Sequence, residues 1–153
     1  MADAQCSVLA LAGAGWPRWA VALPDWHELV AAIRRHIGDG PDAYPVPRCA
    51  WVLAQLRVTS SNTAGFAEMR AGLVERIDVW GRVFAPFAAK CSQSLGEAVD
   101  ALARARLEAE AVLAAGCDAG AVHEAWRVAS ERAVAWTDLV AEAMWGQRRV
   151  PRR

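Results

Sequence analysis

Residues 107–144, LEAEAVLAAGCDAGAVHEAWRVASERAVAWTDLVAEAM, decide the fold that the sequence predicts. Apolar side chains recur at helical spacing on both sides of a short polar break, Gly116-Cys117-Asp118. Glycine commonly ends a helix, and aspartate commonly caps the start of the next one. A connection this short requires the second helix to run antiparallel to the first. The segment therefore predicts a helical hairpin whose second helix covers roughly 119–146.

An apolar stripe with the heptad-like spacing of coiled coils extends upstream of this hairpin. Its members are Phe66, Leu73, Trp80 and Phe87, with Met69, Ile77, Phe84 and Cys91 between them, followed by Leu95, Leu102 and Ala109. We expect Asn62 or Thr63 to cap the helix that carries the stripe. Pro86 lies inside the stripe and removes one backbone hydrogen bond. Because the stripe keeps its phase there, we expect a kink near Ala85–Pro86, or a short break followed by a collinear helix.

Two shorter helices precede the stripe. Asp25 can cap the first of them, and Glu28 completes an acidic variant of the capping box. The prolines and glycines of residues 38–48 predict a loop, and Pro47 suits the first turn of the next helix. That helix is expected to end near residues 59–61.

The first 24 residues are apolar and fit two descriptions. Ser7–Ala12 and Trp19–Leu23 have the composition of two short strands, or the whole stretch is an arm that packs on the helices. A lone hairpin is marginal in water, so we predict the arm. The predicted fold class is all-α, with a long kinked helix, an antiparallel helical hairpin and an irregular apolar N-terminal arm. The predicted divisions are the arm (1–24), two short helices with a Pro/Gly loop (25–61), the long helical hairpin (62–146) and a basic tail (147–153).

Composition and charge argue against nucleic-acid-binding, secreted and membrane-spanning proteins. The 153 residues carry no formal net charge, which gives no general attraction to nucleic acid. The apolar start lacks a preceding Lys or Arg and is too short to span a bilayer, so we expect neither a secretory leader nor a transmembrane segment. The four cysteines are widely spaced and are expected to be buried thiols in a reducing cytoplasm. Lys90 is the one lysine among the basic residues and alanine is abundant, which suggests a bacterial source.

Motifs for catalysis or cofactors are absent from the sequence. His27, His36 and His123 do not form an H-E-x-x-H or E-x-x-H pair, so no metal site is predicted. There is no nucleophile elbow, phosphate loop or dinucleotide fingerprint. Cys91 lies on the apolar stripe, where packing in the core is the expected role. We therefore expect a non-enzymatic protein without a cofactor.

Eight tryptophans are the most unusual feature of the composition. Trp80, Trp126 and Trp136 fall on helical stripes and are expected in the core. The others include residues near apolar or terminal segments. A tryptophan there is suited to contact a binding partner, because its ring is large and its N–H can remain hydrated. Four basic residues follow in the tail. The candidate interaction residues are Trp16, Trp19, Trp145, Arg148 and Arg149.

Residues 107–144 also resemble the phasins, small helical proteins that coat polyhydroxyalkanoate granules. The shared form is an Ala-rich amphipathic helix, a short polar turn and a second helix that opens with Val122-His123-Glu124. The resemblance extends over about 64–146. It implies a non-catalytic, oligomeric coat on an apolar granule surface, with no catalytic residue to assign. The alternative is a helical adaptor or a scaffold or virion assembly subunit, which would use the same faces against other protein chains.

Overall fold

The computed structural model describes residues 23–34, 45–60 and 62–146 of the chain. These ranges contain five α-helices and no strand, which confirms the all-α prediction. The helices are α1 (Trp26–Ile33), α2 (Pro45–Ser60), α3 (Phe66–Phe84), α4 (Leu95–Ala114) and α5 (Ala119–Trp145), with a 3-10 turn at Ala88–Lys90. Leu23 and Pro24 are buried and lie outside any strand. The rest of the predicted arm and residues 147–153 lie outside the described residues.

The predicted capping box and the predicted place of Pro47 are both present, whereas the loop predicted for residues 38–48 is wrong at its end, because residues 45–48 belong to α2. Residues 38–44 lie outside the described residues. The carboxylate of Asp25 accepts from the amide of Glu28 at 2.9 Å, and that of Glu28 accepts from the amide of Asp25 at 3.0 Å. The capping box therefore starts α1, whose Leu29 and Ile33 are buried. Pro47 lies in the first turn of α2, and α2 ends at Ser60 as expected.

The prediction of a single kinked or collinear helix through Pro86 is wrong. Helix α3 ends at Phe84, and Ala85 is extended (φ −108°, ψ 117°), as a residue before proline prefers. Helix α4 begins only at Leu95. In the intervening stretch the chain reverses direction, so that α3 and α4 lie side by side. The Arg70 guanidinium near the start of α3 accordingly reaches Asp100 of α4, with 2.8 Å between Nε and Oδ2.

The predicted cap of α3 is also wrong. The residue before the helix is Gly65, which has no side chain to cap the first turn. Gly65 has a positive φ of 90°, which glycine adopts without the steric cost of a Cβ. Its carbonyl oxygen accepts from the amide of Met69 at 3.0 Å. The turn at Gly65, and not Asn62 or Thr63, therefore sets the start of α3.

The hairpin of α4 and α5 is confirmed. Gly116 turns the chain with a φ of 68°, and the carboxylate of Asp118 accepts from the amide of Ala121 at 3.1 Å. Small side chains lie between the two helices in the half nearer the turn, where Ala105, Ala109 and Ala129 are buried. At the other end, Trp136 and Leu139 of α5 join the main core.

Helix α4 lies at the centre of the fold and contacts each of the other four helices. Gly96 allows its closest approach, because a Cβ there would overlap the backbone of Val74 in α3. Asp100 of α4 is buried, and its carboxylate accepts from Arg57 of α2 at 2.9 and 2.5 Å as well as from Arg70 of α3. This ion cluster joins three helices at one point.

No helix in the described part of the chain combines the length and the apolar character needed to cross a membrane.

Candidate functional site

Helix α5 has a buried face and an open face. Trp136, Leu139 and Ala143 of the buried face lie in the main core. Six residues at helical spacing run beside that face, and we call them the α5 stripe: Trp126, Ala129, Ser130, Ala133, Val134 and Thr137. Ser130, Val134 and Thr137 are exposed, Trp126 and Ala133 are half-buried, and Ala129 is buried. Val134 is 56% exposed although it is apolar. The stripe is thus partly accessible, through Ser130, Val134 and Thr137, on a helix that is otherwise anchored.

The α5 stripe forms one wall of a cavity of about 360 Å³, which we call the tryptophan groove. Trp26 and Val30 of α1 form the opposite wall, and Leu102 and Arg106 of α4 contribute the floor. Asp138 lines the cavity next to Thr137. A cavity of this size with mostly apolar walls and few polar groups is typical of a binding site.

Arg106 and Trp126 define one end of the groove. The guanidinium carbon of Arg106 lies 4.2 Å from the centre of the Trp126 ring, a cation–π arrangement. The Nε of Arg106 donates to Glu110 at 3.1 Å, and Glu110 also pairs with Arg34 at 3.5 Å. Within the described part of the chain, the two terminal nitrogens of Arg106 make no hydrogen bond. This end of the groove therefore presents a guanidinium that is held over an aromatic ring and paired with Glu110.

Trp26 contributes to the wall of the groove that α1 forms. The stretch before it is held by a hydrogen bond of 2.9 Å from Nε1 of Trp136 to the carbonyl oxygen of Pro24. Trp136 is the neighbour of Thr137, so this bond brings the start of α1 beside the Thr137 end of the stripe. The ring of Trp26 is 37% exposed and stacks on His27 with 3.6 Å between centroids.

The hydroxyl groups of the stripe are turned to their own helix. Ser130 Oγ donates to the carbonyl oxygen of Trp126 at 2.9 Å, and Thr137 Oγ1 donates to that of Ala133 at 3.1 Å. Because these protons are already used, the two side chains offer the groove methyl or methylene surface and acceptor lone pairs. The middle of the groove is therefore smooth and only weakly polar.

A second surface lies where α5 ends. Trp145 is 65% exposed, and Phe87 of the turn after α3 is 39% exposed. The amide of Phe87 donates to the carbonyl oxygen of Ala143 at 2.9 Å, and its ring packs on Gly146. We call Phe87 and Trp145 the end patch. It presents two aromatic side chains at one end of the bundle.

The structure accounts for only part of the predicted interaction set. Trp145 is exposed, whereas Trp16, Trp19, Arg148 and Arg149 lie outside the described residues. Trp80 and Trp136 are buried as expected. Trp126 is half-buried: it packs against the small cluster of Ala105, Ala109 and Ala129 and also lines the groove, so it belongs to the core only in part.

Trp26 and Arg106 also line the groove, although the sequence did not predict either residue there. The three walls come from α1, α4 and α5, and no local pattern indicates that these helices meet. One signal was available in Ser130 and Thr137, since polar residues on an apolar stripe are typical of a face that is not fully buried.

The cysteines differ in their environments. Cys49 is buried, Cys91 is half-buried, and Cys117 at the hairpin turn is exposed, so the prediction of buried thiols is wrong for Cys117. Burial raises the pKa of Cys49 to about 11, although Arg76 and Arg48 oppose the shift. Among the described residues, no three His, Cys, Asp or Glu side chains lie close enough to hold a metal ion.

Comparisons with protein-family models, with curated proteins and with solved structures give no match for this chain.

Proposed function

We propose that this chain is a non-enzymatic helical binding protein that coats an apolar surface, in the manner of the phasins. The observation that carries the proposal is the exposure of Trp145, which is 65% accessible at the end of α5 and lies in the end patch with Phe87. A tryptophan left in water at the end of an anchored helix costs free energy that contact with an apolar surface would recover.

The proposed coat uses a preformed surface and not an opened hairpin. The inner faces of α4 and α5 are buried in the monomer, as Leu102 and Trp136 show. Opening the hairpin would expose those side chains at a cost of several kcal/mol, roughly 1.5–3 kcal/mol for each large apolar side chain. Adsorption through the end patch requires no such change.

The experiment is flotation of the purified protein with polyhydroxybutyrate particles, comparing the wild type with Trp145→Glu. We expect the wild type to float with the particles and the variant to remain in solution. Val58→Glu is the matched control, because Val58 is exposed to a similar extent (66%) on α2 and does not belong to the end patch. Equal flotation of all three proteins, or none of the wild type, contradicts the proposal.

A helical adaptor or scaffold subunit is the second candidate, and the tryptophan groove favours it. A row of apolar residues at helical spacing, walled by a second helix, is the form in which proteins accept an amphipathic helix. The test is the variant Ala133→Arg, which places a charge in the middle of the stripe. If this variant no longer self-associates or no longer binds a protein partner, but still floats with the particles, the adaptor or scaffold role is favoured over the coat.

Either role is proposed for the cytoplasm. The exposed thiol of Cys117 supports this location, because a free surface thiol persists best in a reducing compartment. Oxidation of the purified protein in air should then yield dimers linked through Cys117, and Cys117→Ser should abolish them.

A further inference from the structure

The N-terminal stretch of the chain joins the bundle between the two walls of the tryptophan groove. The carbonyl oxygen of Pro24 accepts a buried hydrogen bond of 2.9 Å from Nε1 of Trp136. Thr137, the next residue of α5, lines one wall, and Trp26, two residues after Pro24, lines the other. Residues 1–22 therefore meet the described part of the chain beside the Thr137 end of the groove.

The groove is short compared with the chain that precedes Leu23. Its α5 wall extends from Trp126 to Asp138, which is three helical turns or about 18 Å. An extended chain rises about 3.3 Å per residue, so about six residues span that distance. Residues 16–22 are therefore sufficient to extend from Leu23 along the whole groove.

The composition of residues 1–22 suits the middle of the groove. Asp3 and Arg18 are the only charged side chains among them, and Trp16 and Trp19 are two of the predicted interaction residues. The hydroxyl protons in the middle of the groove are already donated to α5 itself, so apolar contacts are what this surface can gain. Burial of an indole ring there removes apolar surface of the ring and of the groove from water.

Covalent attachment favours this occupant over a separate chain. A binding segment that is tethered by a short linker has an effective concentration on the order of millimolar at its site. A second copy of the chain or a partner helix, present at a lower concentration, must bind the groove more tightly in order to displace the segment.

We infer that residues 16–22 bind in the tryptophan groove of their own chain and close it to other protein chains. Trp19 is the main anchor, because it lies four residues before Leu23, and about 13 Å of extended chain brings it to the middle of the stripe. Trp26 and Val134, which are 37% and 56% exposed, then become covered.

The inference rests on the adaptor candidate only in using the same groove, and it adds that a partner helix must displace residues 16–22. It is independent of the apolar coat, because the groove and the end patch share no residue. Failure of particle flotation therefore leaves it untouched, and its own failure leaves the coat untouched.

The experiment measures how fast a thiol reagent modifies a cysteine placed in the groove of the full chain. Val134→Cys places the thiol in the α5 stripe. Val58→Cys is the matched control, because Val58 is 66% exposed and lies on α2 outside the groove. Mass spectrometry of digested protein separates these thiols from the native ones. We expect position 134 to react at least about tenfold more slowly than position 58, because a tethered segment occupies its site most of the time.

A second variant removes the anchor. Trp19→Asp should raise the rate at position 134 about tenfold and leave the rate at position 58 unchanged, because a charged side chain replaces the ring that occupies the groove. Cys49 reports folding in the same digest, since it is buried and reacts quickly only in unfolded protein. Trp19→Gln is the milder replacement if Trp19→Asp makes Cys49 reactive.

Slow modification of position 134 that the Trp19 variant releases, with rates that do not change on dilution, supports the inference. A position 134 that reacts as fast as position 58 overturns it. Protection that the Trp19 variant does not release also overturns it, because another segment must then cover the groove. Protection that disappears on dilution does so too, because the cover is then a second copy of the chain.

Discussion

The indole Nε1 of Trp136 donates a hydrogen bond of 2.9 Å to the carbonyl oxygen of Pro24, a residue 112 positions earlier in the chain. The bond is buried and joins the start of α1 to the middle of α5. It satisfies both a side-chain donor and a backbone acceptor that no water can reach. The ring of Trp136 is also fully buried in the main core.

A protein without this ring should unfold at a much lower concentration of denaturant. We expect Trp136→Ala to lower the free energy of unfolding by about 3–5 kcal/mol, because it leaves a cavity and an unpaired carbonyl. Urea titration followed by circular dichroism measures the change. Trp145→Ala is the matched control on the same helix, and its exposed side chain should change stability by less than about 0.5 kcal/mol. Equal effects of the two substitutions would contradict the burial described for Trp136.

Two helical glycines should respond in opposite directions to the same substitution. Gly96→Ala places a methyl group against the backbone of Val74 and should destabilise the protein by about 1–3 kcal/mol. Gly72 on α3 has nothing within 4 Å of a built Cβ, so Gly72→Ala should stabilise by about 0.5–1 kcal/mol through helix propensity. Thermal melts of the two variants test the close approach of α3 and α4. If Gly96→Ala is neutral, the two helices lie further apart than described.

Asp100 should be essential for stability, because it is the anion shared by two arginines. Its side chain is 4% exposed, and those of Arg57 and Arg70 are 18% and 27% exposed. Asp100→Asn leaves Arg57 without its charge partner and Arg70 with only the more exposed Glu97, and we expect a loss of about 3 kcal/mol or more. Denaturant titration measures it. Glu75→Gln, which removes the exposed pair with Arg82, is the control and should leave the midpoint nearly unchanged.

Cys49 and Cys117 should react at very different rates with a thiol reagent, because the first is buried and the second is exposed. The thiolate is the reactive form, and burial raises the pKa of Cys49 to about 11. At about pH 8 we therefore expect rapid modification of Cys117, which is exposed, and slow modification of Cys49 unless the protein is unfolded. Mass spectrometry of digested protein assigns the modified site.

The same shift has a consequence for stability at alkaline pH. The folded state holds the Cys49 thiol protonated, whereas the unfolded chain ionises it near the ordinary value of 9.0. The contribution of this group to stability is therefore fully present below pH 9.0 and declines as the pH rises towards about 11. Cys49→Ala should flatten that part of the pH profile, and an unchanged profile would contradict the assignment.

Local signals in the sequence predicted the fold wherever a cap or turn specifies the structure by itself. The capping box of Asp25 and Glu28 and the turn ending in Asp118 are present as expected. The reversal after Pro86 was missed, because a stripe that keeps its phase looks the same whether two helices are collinear or side by side. The missed cue was local: Ser94 accepts from the amide of Glu97 at 3.0 Å and caps a new helix.

The sequence was less informative about the candidate site. Trp145 was identified because it lies near a chain end, and its exposure is observed. The groove was missed because Trp26, Arg106 and Trp126 come together only through tertiary packing. Helical periodicity placed Trp126 on a stripe, but periodicity does not show how far a neighbouring helix extends along that stripe.

The order of the helices has a kinetic consequence. The main partners of α2, α3 and α4 are their neighbours along the chain, and α4 pairs with α5 through a short turn. Contacts between nearby residues require little loop-closure entropy, so this part of the protein should fold within milliseconds or faster. Helix α1 also contacts its neighbour α2, but the contact between Pro24 and Trp136 must close a loop of 112 residues. We therefore expect the contact of α1 with α5 to form last and to break first, which would open one wall of the tryptophan groove before the rest of the protein unfolds.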